Sequence, residues 1–206
     1  RYDMSEKESY DLAVIGAGPG GYVAAVRGAQ LGMKVACIER EERLGGVCLR
    51  LGCIPSKALL DSSHNYASAA RAFSSHGIEF EGLRMNLDAM MRRKADVVRT
   101  LTDNVRKLLE SQKVTIIKGT AKLSGKREVT IENNGEARTL EARNILLATG
   151  SRPVDLPNLP FDGRHIVSSS EALSFESVPK HLVVVGGGYI GLELGSVWAR
   201  SEEHTS

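Results

Sequence analysis

Apolar residues fall along this chain in two rhythms. Short, mostly apolar runs occur at 11–15, 35–38, 144–149 and 181–185, as in strands buried on both faces, and 114–117 reads as a further strand. Between them the spacing changes to three and four. Residues 22–31 read as a helix of small residues with Gly32 as its cap. Leu87, Met90, Met91, Val97, Val98, Leu101, Val105, Leu108 and Leu109 predict one long amphipathic helix over 87–111. Its charged residues, among them Arg92, Arg93, Lys94, Arg99, Arg106 and Lys107, read as a solvated face. Residues 128–132 and 137–141 flank Asn133-Asn134-Gly135-Glu136, a hairpin turn. Ser168-x-x-Glu171 has the form of a capping box opening a short helix. Strands alternating with helices point to an α/β fold with a parallel sheet.

The first strand runs straight into Gly16-Ala17-Gly18-Pro19-Gly20-Gly21, and the second ends at Glu39, roughly 20 residues on. Each part has a physical reason in a dinucleotide site. Gly16 permits the tight turn. Gly18 lets the backbone approach a pyrophosphate, and Gly21 lets helix and strand pack closely. The helix N-terminus receives the phosphate charge, and Glu39 can accept hydrogen bonds from a ribose diol. The plain alternative is a strand–turn–helix corner with no ligand. The pattern returns about 170 residues later at Gly186, Gly188 and Gly191, after the run at 181–185, and suggests a second nucleotide domain. The acid that would choose between NAD and NADP would come after Ser206 by the same spacing.

Between these turns lies Gly45-Gly46-Val47-Cys48-Leu49-Arg50-Leu51-Gly52-Cys53-Ile54-Pro55-Ser56-Lys57-Ala58-Leu59-Leu60. Pro55 suits an early helical position, so Cys53 falls near a helix N-terminus, which favours a thiolate. Cys48 is read in the preceding loop, close enough to bond to Cys53. So small a ring constrains little of the unfolded chain and suits redox exchange better than stapling. The alternative is two unpaired cysteines buried as small hydrophobes. No second Cys or His pair stands at zinc-ligand spacing, so no metal is expected. Cys37, inside the second strand, reads as core.

Composition adds exclusions. Hydrophobic residues at 42% and charged residues at 25% are ordinary for a globular chain. The net charge is +2 with scattered basic residues, which argues against a nucleic-acid stripe or a polybasic membrane patch. No apolar run reaches transmembrane length. The N-terminus lacks a signal-peptide core and is too acidic for a transit peptide. Three cysteines without an export signal suggest a reducing compartment, read as the cytoplasm, or the mitochondrial matrix in a eukaryote.

The segment from Cys48 to Leu60 resembles the redox-active disulfide segment of the flavin-dependent pyridine nucleotide-disulfide oxidoreductases, and the likeness runs from about Tyr10 to Ala199. Within that family it is most similar to the dihydrolipoamide dehydrogenases; glutathione reductases usually carry a second basic residue where this chain has Ser56. The resemblance implies a Rossmann-like FAD-binding domain at 10–153, a parallel sheet with an antiparallel hairpin insertion. A linker and the start of a Rossmann-like NAD-binding domain would follow at 154–199. It implies FAD at the first glycine turn, with Ala148-Thr149-Gly150 passing near it, and NAD at the second. It makes Cys48 the interchange thiol and Cys53 the thiolate against the flavin. Lys57, one turn on from Cys53, would place positive charge near the flavin and pair with Glu193. Tyr189 would shield the nicotinamide side, or else simply pack.

The activity so implied is oxidation of protein-bound dihydrolipoyl groups, with electrons passing through the disulfide and FAD to NAD. Lipoyl domains of 2-oxoacid dehydrogenase or glycine cleavage complexes would be the partners, and the full-length form a homodimer. The alternatives are a glutathione- or mercuric-type reductase and an inactive flavin-binding fragment. In the family, the rest of the NAD domain, the dimer domain and a catalytic His follow; none of His64, His76, His165, His181 and His204 fits that role here. Residues 1–9 read as a disordered terminus. Residues 200–206 (Arg-Ser-Glu-Glu-His-Thr-Ser) look like a translated sequencing adapter, and a non-native tail is expected there.

Overall fold

The computed structural model describes residues 8–79 and 81–201. In chain order the elements are β1 (Ser9–Ile15), α1 (Pro19–Gln30), β2 (Val35–Glu39), α2 (Gly46–Leu51), α3 (Cys53–Ala72), α4 (Leu87–Ser111), β3 (Thr115–Lys118), β4 (Thr120–Leu123), β5 (Glu128–Asn133), β6 (Glu136–Leu147), α5 (Ser169–Ala172) and α6 (Tyr189–Ser201). They divide between two compact units, one of residues 1–50 and 100–151 and the other of residues 51–99 and 152–206. Helix α4 is continuous through the boundary. Residues 1–7 of the expected disordered terminus and 202–206 of the expected tail lie outside the described residues, whereas Arg200 and Ser201 close α6.

The first unit is built on one six-stranded sheet in the order β3-β2-β1-β6-β5-β4. β3, β2, β1 and β6 are parallel, and β6-β5-β4 are antiparallel. The parallel strands hold what their apolar runs require: Ala13, Val14, Ala36, Cys37 and Ile38 are all essentially inaccessible. Asn134 and Gly135 both take positive φ, 51° and 85°, as a two-residue hairpin loop between β5 and β6 demands.

In this unit two features differ from the sequence reading. The strands expected at 137–141 and 144–149 are one strand, β6. It pairs with β5 at its start and with β1 from Ser9↔Glu141 to Ile15↔Leu147. Polar Arg143 and Asn144, on opposite faces of the strand and both exposed, interrupt the apolar pattern without ending the strand. β4, unforeseen, is an edge strand with mostly exposed side chains, so no burial pattern announces it. Only Gly119 separates β3 from β4, although they are opposite ends of the strand order, so the sheet curls until its edges meet. There the Gly119 N–H donates to the Glu39 carbonyl at 2.9 Å.

The second unit is helical. Leu59 of α3, Met90 of α4, Leu173 and the α6 residues Leu194, Val197 and Trp198 form its core. Trp198 is 2% exposed and its indole N–H donates to the Ala172 carbonyl at 3.0 Å, so its polar atom is satisfied. Burial of each such large side chain contributes about 1.5–3 kcal/mol. Arg93 ties α4 to α3, donating to the Ala58 carbonyl at 2.9 Å and to Asp61 at 2.5 Å. The capping box is formed at α5, with Ser170 N–H donating to Ser168 Oγ at 3.2 Å and Ser168 N–H to Glu171 Oε2 at 2.8 Å.

The strand expected at 181–185 is not formed. Val183 and Val185 are each 71% exposed on irregular backbone. A strand exists through its hydrogen-bonded neighbours, and among the described residues nothing pairs with this run.

Candidate functional site

In the first unit the chain leaves β1 at Ile15 and turns at Gly16, whose φ is +100°. The turn is pinned on both sides: Gly16 N–H donates to the Ile38 carbonyl and Ala148 N–H to the Ile15 carbonyl, both at 2.8 Å. A Cβ at Gly16 would stand 2.3 Å from the Ala148 oxygen, and one at Gly21 1.8 Å from the Gly16 oxygen. Only glycine fits either position. Gly18 caps α1 and Pro19 opens it. A Cβ at Gly18 would make only an ordinary contact, with Gly46 Cα at 3.7 Å.

Glu39 closes one side of this turn. It is 8% exposed, and its two oxygens accept the Ala17 N–H at 2.8 Å and the Glu41 N–H at 3.0 Å. Each oxygen keeps a second lone pair. Sequence reasoning missed the other side. Gly45 N–H donates to the Ala17 carbonyl at 2.8 Å, and a Cβ at Gly46 would lie 2.6 Å from Gly18 Cα. The Gly45-Gly46 pair is visible in the sequence, but nothing local shows what it approaches. Gly16, Gly18, Gly21, Glu39 and Ala148 are thus gathered at one end of the sheet. A side-chain-free turn at a 12-residue helix N-terminus, beside a buried carboxylate, fits a dinucleotide.

The second glycine turn, in the other unit, has the same lead. Gly186 has φ +104°, and Leu192 N–H donates to the Gly188 carbonyl at 3.1 Å in the first turn of α6. A Cβ at Gly191 would meet Val184 Cγ1 at 2.6 Å. Tyr189 is the first residue of α6 and is 72% exposed.

α3 and α6 of that unit bring Lys57 and Glu193 together. Lys57 Nζ donates to Oε1 at 2.7 Å and to Oε2 at 2.8 Å. The Glu193 hydrogen bond is the main cause that raises the Lys57 pKa above its ordinary value, with nearby Cys53 adding to it. The Lys57 side chain is 56% exposed, so the pair is worth about 0.2–1 kcal/mol to stability, and its interest is positional. Ser56 Oγ donates to the Cys53 carbonyl at 3.1 Å and fastens the first turn of α3.

Cys53 is the first residue of α3 and exposed, as the Pro55 argument required. Cys48 is half-buried in α2 rather than in a loop; Gly45 and Gly46, both at positive φ, start that six-residue helix and Gly52 separates it from α3. Cys48 belongs to the first unit and Cys53 to the second. Cys37 is fully buried in β2, and burial, with Glu39 nearby, pushes its thiol up to about 12. At pH 8 its thiolate fraction is then about 10⁻⁴. Iodoacetamide at pH 8 is therefore expected to alkylate Cys53 of the folded chain at least ~100-fold faster than Cys37, read by peptide mass spectrometry. Equal rates would mean that β2 opens readily.

His64, His76, His165 and His181 are exposed, and His165 faces Asp162 at 3.7 Å; His204 lies outside the described residues. Three backbone N–H groups, from Arg164, Ile166 and His165, lower the Asp162 carboxyl to about 2. Among the described residues no group of three or more His, Cys, Asp or Glu could hold a metal ion, and no helix is long and apolar enough to cross a membrane.

Comparison with known proteins gives a consistent picture. The pattern of the family described as pyridine nucleotide-disulphide oxidoreductase matches residues 10–206. The chain is 50% identical over 192 residues to the mitochondrial dihydrolipoyl dehydrogenase of Homo sapiens, covering 92% of this chain and 38% of that protein. It is 48% identical over 200 residues to that of Dictyostelium discoideum, covering 97% and 41%. It is also 48% identical over 197 residues to leghemoglobin reductase of Glycine max, covering 95% and 38%. Among solved structures, a Cu(II) complex of the HOCl-induced flavoprotein disulfide reductase RclA from Escherichia coli superposes with a TM-score of 0.79 at 26% identity. That match covers 94% of this chain and 41% of that one. The chain therefore spans about two-fifths of the length of these relatives.

Proposed function

Because the chain belongs to the pyridine nucleotide-disulphide oxidoreductase family, we propose that the whole protein oxidises protein-bound dihydrolipoyl groups and delivers their electrons through a Cys48–Cys53 disulfide and FAD to NAD. The observation that carries this reading is the 48–50% identity to dihydrolipoyl dehydrogenases over more than nine-tenths of the chain.

The chemistry follows thiol–disulfide exchange. A substrate thiolate attacks Cys48 Sγ, the Cys48–Cys53 bond breaks, and Cys53 leaves as thiolate. The second substrate thiolate then attacks the substrate sulfur bound to Cys48. This releases the Cys48 thiolate and closes the lipoyl disulfide, leaving two electrons on the cysteine pair. FAD, when bound, would supply the two-electron acceptor between this cysteine pair and the nicotinamide. Gly16, Gly18, Gly21 and the α1 N-terminus would hold its pyrophosphate and Glu39 its ribose, with Ala148, Thr149 and Gly150 alongside. Gly186, Gly188, Gly191 and the α6 N-terminus would hold NAD, with Tyr189 at the nicotinamide side. Lys57, steered by Glu193, supplies positive charge beside Cys53.

Lipoyl domains of 2-oxoacid dehydrogenase or glycine cleavage complexes are the proposed partners, and a homodimer the proposed assembly. The proposed setting is the cytoplasm of a bacterium or the mitochondrial matrix of a eukaryote, matching the relatives named as mitochondrial. The test is to assay full-length protein with dihydrolipoamide and NAD, glutathione disulfide and NADPH, and Hg(II) and NADPH. The first pair is expected to give a kcat/KM at least ~100-fold above the others. A lead for glutathione disulfide or Hg(II) replaces the substrate, and no turnover with any of them withdraws the enzyme reading.

A further inference from the structure

In the second unit, the first turns of α4 and the segment after α5 line an open cavity of about 420 Å³, within the range of small-molecule sites. Leu87, Met91 and Phe175 form its apolar wall. Lys94 enters it half-buried, Nζ donating to the Leu173 carbonyl at 2.5 Å and to Ser174 Oγ at 3.3 Å. An ammonium has three N–H donors, so one remains for a ligand. Burial lowers the Lys94 pKa, and no carboxylate pairs with it among the described residues, so an anionic group brought there would be favoured. Asp88 and Glu176, both exposed, stand at the rim of the cavity, and neither side chain makes a hydrogen bond or ion pair among the described residues.

One cation short of an anion, two carboxylates short of a cation and an apolar wall describe a specific ligand chemistry. We propose that this cavity binds a zwitterionic α-amino acid with an apolar side chain, its carboxylate on Lys94, its ammonium at Asp88 and Glu176, and its side chain against Met91 and Phe175. A simple amine would leave the Lys94 donor unmet. A simple carboxylic acid would be repelled by Asp88 and Glu176. Its lining includes no residue of either glycine turn and none of Cys53, Lys57 and Glu193.

The chain carries its own reporter. Trp198 is the only tryptophan of these 206 residues, and its ring centroid lies 5.2 Å from that of Phe175. The full-length protein would be titrated with L-phenylalanine, phenethylamine and 3-phenylpropionate, three probes with one apolar body, by calorimetry, with tryptophan emission followed as a second signal. L-Phenylalanine is expected to bind at least tenfold more tightly than either other probe. Lys94→Met should remove its advantage over phenethylamine, and Glu176→Gln should reduce its advantage over 3-phenylpropionate. Since Lys94 also fastens the Leu173 carbonyl, far-UV circular dichroism checks that variant's fold; Glu176 is exposed and unpartnered, so its variant tests the site independently. Equal affinities for the three probes, no saturable binding, or an undiminished preference in folded Glu176→Gln overturns the proposal.

Discussion

Replacing Gly21 with alanine is expected to destabilise the chain by about 3 kcal/mol or more, whereas the same change one residue earlier, at Gly20, is expected to stabilise it by about 0.5–1 kcal/mol. The two glycines are neighbours in the first turn of α1. A Cβ at Gly21 would lie 1.8 Å from the Gly16 oxygen, 2.9 Å from the Gly16 carbonyl carbon and 3.3 Å from Val14 Cγ1, whereas one at Gly20 would meet nothing within 4 Å. The atoms at Gly21 are backbone, and that backbone is itself held by the Ile38 and Ala148 hydrogen bonds, so it cannot yield alone. The helix start must therefore separate from the strand end. At Gly20 only the unfolded chain loses freedom, and the helix gains a better helix former. Urea unfolding followed by far-UV circular dichroism measures both. A Gly21→Ala variant within 1 kcal/mol of the parent would show that the contact between α1 and β1 is looser than described. In the full-length protein the same substitution should also abolish flavin retention, because the turn that receives the pyrophosphate would be displaced.

That Gly16 and Gly21 were legible in the sequence, and Gly46 was not, shows which kind of information a sequence carries. Gly16 and Gly21 sit in one local pattern between a strand and a helix, so spacing alone assigns them. Gly46 matters because it meets Gly18, 28 residues earlier, and no local pattern reports that approach. The same division runs through the fold. α4 spans Leu87–Ser111 as its three-and-four spacing predicts, and Asn134-Gly135 forms the hairpin turn, since both depend on neighbouring residues. β4 is not legible because its side chains are mostly exposed, and β6 reads as two strands because exposed, polar Arg143 and Asn144 interrupt its apolar run. The run at 181–185 has strand composition, yet pairing requires neighbours that composition does not supply. Lys57 and Glu193 stand 136 residues apart, and family likeness, rather than spacing, suggested that they meet.

Serine in place of Cys53 is expected to lower dihydrolipoamide oxidation by the full-length protein at least ~10³-fold, a loss of the size seen when a covalent nucleophile or its partner is removed. The exchange needs two sulfurs. Cys48 alone can exchange with a substrate disulfide, but without Cys53 no bond exists for the substrate thiolate to break, and the electrons have no route off the substrate. A hydroxyl cannot substitute, because it neither forms the S–S bond nor leaves as a stable anion at neutral pH. Cys53→Ser is close in size and the residue is exposed at the first position of α3, so the fold is expected to persist. Folding loss can thus be separated from chemistry by the unchanged circular dichroism of the variant. Cys37→Ser supplies the opposite control. It places a hydroxyl in the closed interior of β2, where burial of an unpaired polar group costs about 1–3 kcal/mol. Its effect should appear in stability while kcat below the unfolding temperature stays within twofold. If Cys53→Ser instead keeps more than a tenth of the parent kcat, the disulfide relay is wrong and the electrons take another path. If Cys37→Ser lowers kcat as far as Cys53→Ser does, the buried thiol belongs to the relay and the assignment of the pair has to be redrawn.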